Sequence, residues 1–172
     1  MDVRMFTVGQ IAENTYIFRR DGSDRALIVD PGDEADKLLA AIDALGVTLD
    51  GILLTHTHFD HVGAVAPVAR ATGAEVWVPA KESFVLADIN SFVPWPDFGP
   101  FESYEAEHTL EGGERLEVAG FEIDVLFTPG HSPGHVTFSI PDETGVLPGH
   151  NEPTTLGRER FSNPFLNELA RP

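Results

Sequence analysis

The stretch LLTHTHFDHVGA, residues 53–64, places four metal-seeking side chains, His56, His58, Asp60 and His61, within six residues. It continues the apolar run GILLT (51–55), which reads as a buried strand. In extended chain, residues two apart share a face, so His56 and His58 point the same way. Asp60 and His61 then fall where the chain turns into a helix. One histidine alone would read as a core residue or as part of a solvated loop. Four such groups together, flanked by Leu53, Leu54 and Val62, point to a bound metal. Imidazole and carboxylate ligands without thiolate suit zinc, and also iron or manganese.

Working outward, VRMFTV (3–8), NTYIFRR (14–20) and RALIVD (25–30) read as short strands, the last ending in an Asp-Pro-Gly turn. Leu38, Leu39, Ile42 and Leu45 lie at helical spacing and predict a helix over 33–45, ended by Gly46. A second helix is expected over 62–72, closed by Gly73 in spite of Pro67. EVWVP (75–79) reads as another strand. Strand and helix alternate here, which predicts an α/β layered fold. Residues 90–113, rich in Pro, Phe and Gly, read as a long surface loop, with the Phe-rich part at 92–101 packed on the body and not acting as a lid. RLEVAG (115–120), FEIDVLFT (121–128) and HVTFSI (135–140) read as strands. No repeat or linker interrupts the chain, so 1–172 is expected to form a single domain.

A second histidine-bearing stretch, PGHSPGHVTFSIPDETGVLPGH (129–150), repeats Pro-Gly-His at His131, His135 and His150, and the copies at His131 and His150 read as the two ligand-presenting turns. Pro-Gly before a histidine marks a tight turn that presents the imidazole from a loop.

Composition narrows the classes of partner. At 172 residues, 42% hydrophobic and 23% charged, the chain is suited to one globular domain. A formal net charge of −17, with only 11 Lys and Arg, disfavours nucleic acid and anionic membrane surfaces. The absence of cysteine removes disulfides, zinc ribbons and thiol nucleophiles. No signal-peptide pattern or bilayer-length apolar run is present, so a cytoplasmic location is expected.

His-x-His-x-Asp-His after an apolar strand resembles the signature of the metallo-β-lactamase superfamily. AENTYIF (12–18), ALIVDPG (26–32), TPGHSPGH (128–135) and PGHNEPTTLGRERFSNPFL (148–166) resemble, in the same order, segments of its glyoxalase II-like single-domain members. The resemblance implies an αββα sandwich. It implies two zinc ions per chain, one held by His56, His58 and His131, the other by Asp60, His61 and His150. Asp60 would also orient the nucleophile. The implied reaction is hydrolysis of a 2-hydroxy-acid thioester, such as S-lactoylglutathione, by metal-activated water. Two alternatives stand beside it: a mononuclear iron persulfide dioxygenase of the same superfamily, and a degenerate metal-binding module. His108 and His135 receive no role.

The resemblance also exposes a gap. Members of the family carry a strand, a bridging aspartate, a Gly-Arg loop, a helix and another strand between the two Pro-Gly-His turns. Only 18 residues separate His131 from His150 here, too few for strand, crossover helix and strand. The second half of the fold is therefore expected to be shortened, and the only intervening carboxylates are Asp142 and Glu143. An internal deletion, a natural minimal variant completed by a second subunit, and a degenerate member each fit this pattern. Loss of a layer is expected to expose apolar strand surface and favour homo-oligomers.

Overall fold

A computed structural model describes residues 1–140 and 145–155. Three antiparallel strands, β1 (Asp2–Val8), β2 (Glu13–Arg19) and β3 (Arg25–Val29), lead into three parallel ones, β4 (Thr48–Leu53), β5 (Glu75–Pro79) and β6 (His108–Leu110), in one six-stranded sheet ordered as in the chain. Parallel neighbours need crossovers. Helix α1 (Ala35–Leu45) supplies the first, and α2 (Phe59–Val62) with α3 (Val65–Thr72) the second. The short α4 (Ser83–Ala87) lies in the third. A three-stranded antiparallel sheet follows, β7 (Arg115–Val118), β8 (Phe121–Phe127) and β9 (Val136–Ser139). A two-residue ladder, β10 (Gly145–Val146) with β11 (Thr154–Thr155), comes last.

Period-two alternation sorts the core into two layers. Ile17, Ile28, Ile52, Val76 and Val78 face the helices and pack with Leu38, Ile42, Val65 and Val68. Their strand neighbours Phe18, Leu27 and Leu53 face the other way, onto Phe121 and Ile123 of β8. The result is helix, sheet, sheet, as the αββα expectation requires. No described residue after β7 is helical, so the described part of the sandwich has one helical layer.

Two expectations shift. The helix expected over 62–72 is broken at Gly63 and Ala64, because the Ala64 N–H turns to the Pro31 carbonyl at 3.0 Å. Pro67 then falls in the first turn of α3, where an N–H has no intrahelical partner to lose. Within the expected loop 90–113, β6 adds a three-residue strand beside β5. That strand is too short to leave a periodic signal. Phe98 and Phe101 of the same segment do pack against the core beside Phe59.

The outer face of the three-stranded sheet is mostly polar, contrary to the apolar surface expected from a lost layer. Glu122 and Asp124 alternate outward from β8, and Arg115 Nε lies 2.7 Å from Asp124 Oδ1. Leu126 and Phe127, at the end of β8, are exposed. Among the described residues no helix is long and apolar enough to cross a membrane.

Candidate metal centre

The carboxyl ends of β3 and β4 set the floor of the site. β4 delivers Thr55 and His56 to the sheet edge, and the turn before α2 presents His58, Asp60 and His61. At the end of β3, Asp30 adopts a left-handed backbone with φ 47°. Its carboxylate accepts the Thr55 N–H (2.8 Å), the Thr55 hydroxyl (2.6 Å) and His61 Nδ1 (3.0 Å). Those bonds fix tautomers. Thr55 has one hydroxyl proton and gives it to an acceptor-only carboxylate, so His56 Nδ1, 3.0 Å from Thr55 Oγ1, must be the donor there. His56 Nε2 and His61 Nε2 are left as lone pairs facing the loops above, an orientation that metal-binding histidines gain from such partners.

Two clusters result, and they bring together the six residues named from the sequence. In the first, the ligand atoms of His56, His58 and His131 lie within 4.8 Å of one another. His56 Nε2 is 3.1 Å from His58 Nδ1 and 3.2 Å from His131 Nε2. In the second, the ligand atoms of Asp60, His61 and His150 also lie within 4.8 Å. Asp60 Oδ2 stands 3.4 Å from His150 Nε2 and 3.8 Å from His61 Nε2. The rings of His56 and His61, 4.1 Å apart, join the clusters. Tetrahedral zinc with bonds of about 2.0–2.1 Å needs donor atoms roughly 3.3–3.4 Å apart, so the donor sets fit such an ion. Asp30, His56 and His61 form a third, fully buried group of possible ligands, but the hydrogen bonds above already occupy Asp30.

The environment divides the histidines. Burial, followed by the neighbouring imidazoles, pushes His56 far below the ordinary histidine range. Burial and His131 lower His58 as well. For His61 burial also acts downward, but the hydrogen bond and charge of Asp30 outweigh it and raise the ring above its usual value.

Behind His61 lies Glu13, 1% exposed, whose Oε1 is 3.8 Å from His61 Nδ1 and has no hydrogen-bond partner among the described residues. Burial and the nearby Asp30 carboxylate push it up to about 10. The hydroxyl of Thr15 donates to the Asp30 carbonyl at 2.8 Å, so a protonated Glu13 donates to Thr15 Oγ1 at 3.1 Å.

The loop carrying His150 hangs from β2. Asn14 donates its N–H to the Gly149 carbonyl (2.6 Å) and its Nδ2 to the carbonyls of Asn151 (2.8 Å) and Pro148 (3.3 Å). The Tyr16 hydroxyl donates to the Pro148 carbonyl at 2.7 Å. A Cβ at position 149 would meet His61 Cε1 at 2.6 Å, which explains glycine there. These contacts give AENTYIF a physical role that its resemblance to a family segment did not convey.

His135 pairs with Thr128 Oγ1 at 2.9 Å, its ring 5.3 Å from that of His56, outside both clusters. His108 is remote, stacked on Trp77 and paired with Glu75. Asp142, Glu143 and residues 156–166 of the C-terminal resemblance lie outside the described residues.

Residues 8–157 match the metallo-beta-lactamase superfamily family model. Hydroxyacylglutathione hydrolase GloC of Haemophilus influenzae is 28% identical, the match taking in 99% of this chain and 100% of that protein. That alignment runs over 224 positions against 172 residues here, so dozens of its positions have no residue of this chain. Among solved structures, the BLEG-1 B3 metallo-beta-lactamase is 27% identical with a TM-score of 0.85, over 96% of this chain and 99% of that one. TTHA1623 in a di-iron-bound form is 33% identical with a TM-score of 0.73, over 95% and 100%.

Proposed function

The chain belongs to the metallo-β-lactamase superfamily, and from that premise we propose that it is a metal-dependent hydrolase of 2-hydroxy-acid thioesters. The observation that carries the reading is the pair of abutting clusters, each with three convergent ligand atoms. His56, His58 and His131 would hold one metal ion, and Asp60, His61 and His150 the other. Bound there, such ions supply a Lewis acid for a carbonyl oxygen and a water acidic enough to ionise near neutrality. GloC, a hydroxyacylglutathione hydrolase by name, supports the thioester class. The di-iron form of TTHA1623 supports a two-metal site and leaves iron beside zinc as the cofactor.

The chain's own groups have separable tasks. Asp30 and Thr55 hold His56 and His61 in the tautomers that leave Nε2 free. The Asp60 carboxylate, only partly exposed and facing both His61 and His150, would orient the attacking water. The chain has no cysteine, which fits a direct attack by water. The family's Gly-Arg loop has no room between His131 and His150, so the thiol half of the substrate would meet different residues here, and a thiol other than glutathione is compatible with the site.

Elemental analysis of monodisperse full-length protein, followed by turnover of S-lactoylglutathione and of lactoyl thioesters of other thiols, tests the proposal. Two equivalents of zinc or iron per chain with thioester turnover is the expected result. Metal-loaded protein that turns over none of these thioesters would overturn it. Oxygen consumption with a persulfide would identify the iron dioxygenase instead.

A further inference from the structure

Glu82 belongs to neither cluster, yet it is 5% exposed and sits at the end of the single turn after β5. Its Oε2 accepts the Thr57 N–H at 3.0 Å and lies 3.2 Å from the Thr57 hydroxyl. Its Oε1 accepts the Gly134 N–H at 2.6 Å. Thr57 stands between His56 and His58, and Gly134 follows His131 by three residues. One carboxylate therefore grips, through backbone donors, both loops of the three-histidine cluster. Burial raises its pKa, but Ser132 beside it and the N–H groups of Gly134 and Thr57 outweigh burial and hold it below the ordinary glutamate range. Hydrogen bonds to an ionised acceptor are the strong kind. The fit leaves no slack, since a Cβ at position 134 would come within 2.9 Å of Glu82 Cγ.

We infer that Glu82 is a positioning residue for the His56–His58–His131 cluster, its carboxylate fixing the spacing of the two ligand loops and so the affinity of that cluster for its metal. The inference rests on the reading of this cluster as a metal site. Its ligands come from chain segments far apart in sequence, and between them the described loops share this one charged brace. Removing an outer partner of a metal ligand typically costs about 10–100-fold in metal affinity. Glu82→Gln keeps the shape but turns an amide NH2 toward one of the two N–H donors, so one arm of the brace opens. Gly134→Ala disturbs the same contact from the other side while leaving the carboxylate in place.

The test is a cobalt titration of metal-free full-length protein, followed by visible absorption, with zinc affinity measured against a competing chelator. Glu82→Gln and Gly134→Ala should each weaken the first equivalent about 10–100-fold and alter its cobalt spectrum, with the second equivalent unchanged. First-equivalent affinity and spectrum equal to the parent's in both variants would overturn the inference. So would equal weakening of both equivalents in step with a lowered thermal midpoint, since that is what a purely structural role produces. A parent that takes up no cobalt would instead sink the metal-site reading itself, and the role of Glu82 with it.

Discussion

The two clusters share a wall but are built differently. The first has three imidazoles, its nitrogens about His56 already 3.1 and 3.2 Å apart, and its two loops tied by one ionised carboxylate. The second has a carboxylate and two imidazoles at 3.4 and 3.8 Å. One member, His150, is 40% exposed on a loop held through its carbonyls by Asn14 and Tyr16. An all-imidazole set favours zinc, whereas a carboxylate widens tolerance toward iron and manganese. Pre-set spacing lowers the cost of closing ligands on an ion. The three-histidine cluster is therefore expected to fill first, and the mixed cluster second and with less selectivity.

Removing one ligand from each side is the strongest attack on that order. His58→Ala should abolish the first equivalent and lower thioester hydrolysis by at least about a hundredfold, the scale on which loss of a group aimed at the transition state is felt. His150→Ala should remove only the second equivalent and spare the first. Metal analysis and turnover on both variants read the outcome. Loss of both equivalents in His150→Ala would mean the clusters fill as a unit and the ordering is wrong.

Protons compete for the same nitrogens, and they should separate the sites next most widely. Binding a metal requires a neutral imidazole. His56 and His58, with pKa values pushed below the usual range, remain neutral as pH falls through the mid-sixes. His61, raised above that range, takes up its proton at higher pH. Acidification from about pH 8 to 5.5, across the unperturbed histidine value, should expel the second equivalent before the first. Zinc affinity measured across that range checks it, and simultaneous release would break the contrast. The metal-free fold has its own dependence. His56 and His58 have depressed folded pKa values, so their contribution is fully present above the unfolded value near 6.5 and is lost as pH falls through their folded values.

Two residues of each cluster are legible in the sequence, and the reason is local. His56, His58, Asp60 and His61 lie within one turn at a strand end, and a period-two strand followed by a helix leaves few ways to arrange them. The last Pro-Gly-His turn carries its own signal, so His150 is named from the sequence too. The supports were not legible as such. Glu82 reads as an ordinary surface acid in AKES, and only the fold carries it between Thr57 and Gly134. Asp30 and Asn14 lie inside RALIVD and NTYIFRR, yet their tasks are tertiary: one orients two histidines, and the other holds a loop more than 130 residues away. The polarity of the outer sheet face was missed for another reason. A lost layer suggests an apolar scar, while β8 itself alternates Phe121, Ile123 and Val125 inward with Glu122 and Asp124 outward.

Weaker attacks on the second cluster go through its loop. Asn14→Ala removes the Nδ2 bonds to the Pro148 and Asn151 carbonyls but keeps the backbone bond to Gly149. The second equivalent should weaken about tenfold, the worth of one net hydrogen bond at the upper end of its range. The first should not change, because nothing in Asn14 reaches His56, His58 or His131.

Tyr16→Phe is the finest cut. It deletes one oxygen, keeps the ring in its buried place, and frees only the Pro148 carbonyl, which Asn14 Nδ2 still approaches at 3.3 Å. A carbonyl with a remaining donor escapes most of the penalty for an unmet buried acceptor. The expected loss is about threefold in affinity for the second equivalent, near the lower bound of a net hydrogen bond. Chelator competition at fixed pH resolves that difference. A loss as large as that of Asn14→Ala would show that Tyr16, and not the amide, sets the height of the His150 loop. A loss in the first equivalent would show that the two clusters communicate through the His56–His61 contact, and the site would then have to be treated as one coupled centre with two occupancies.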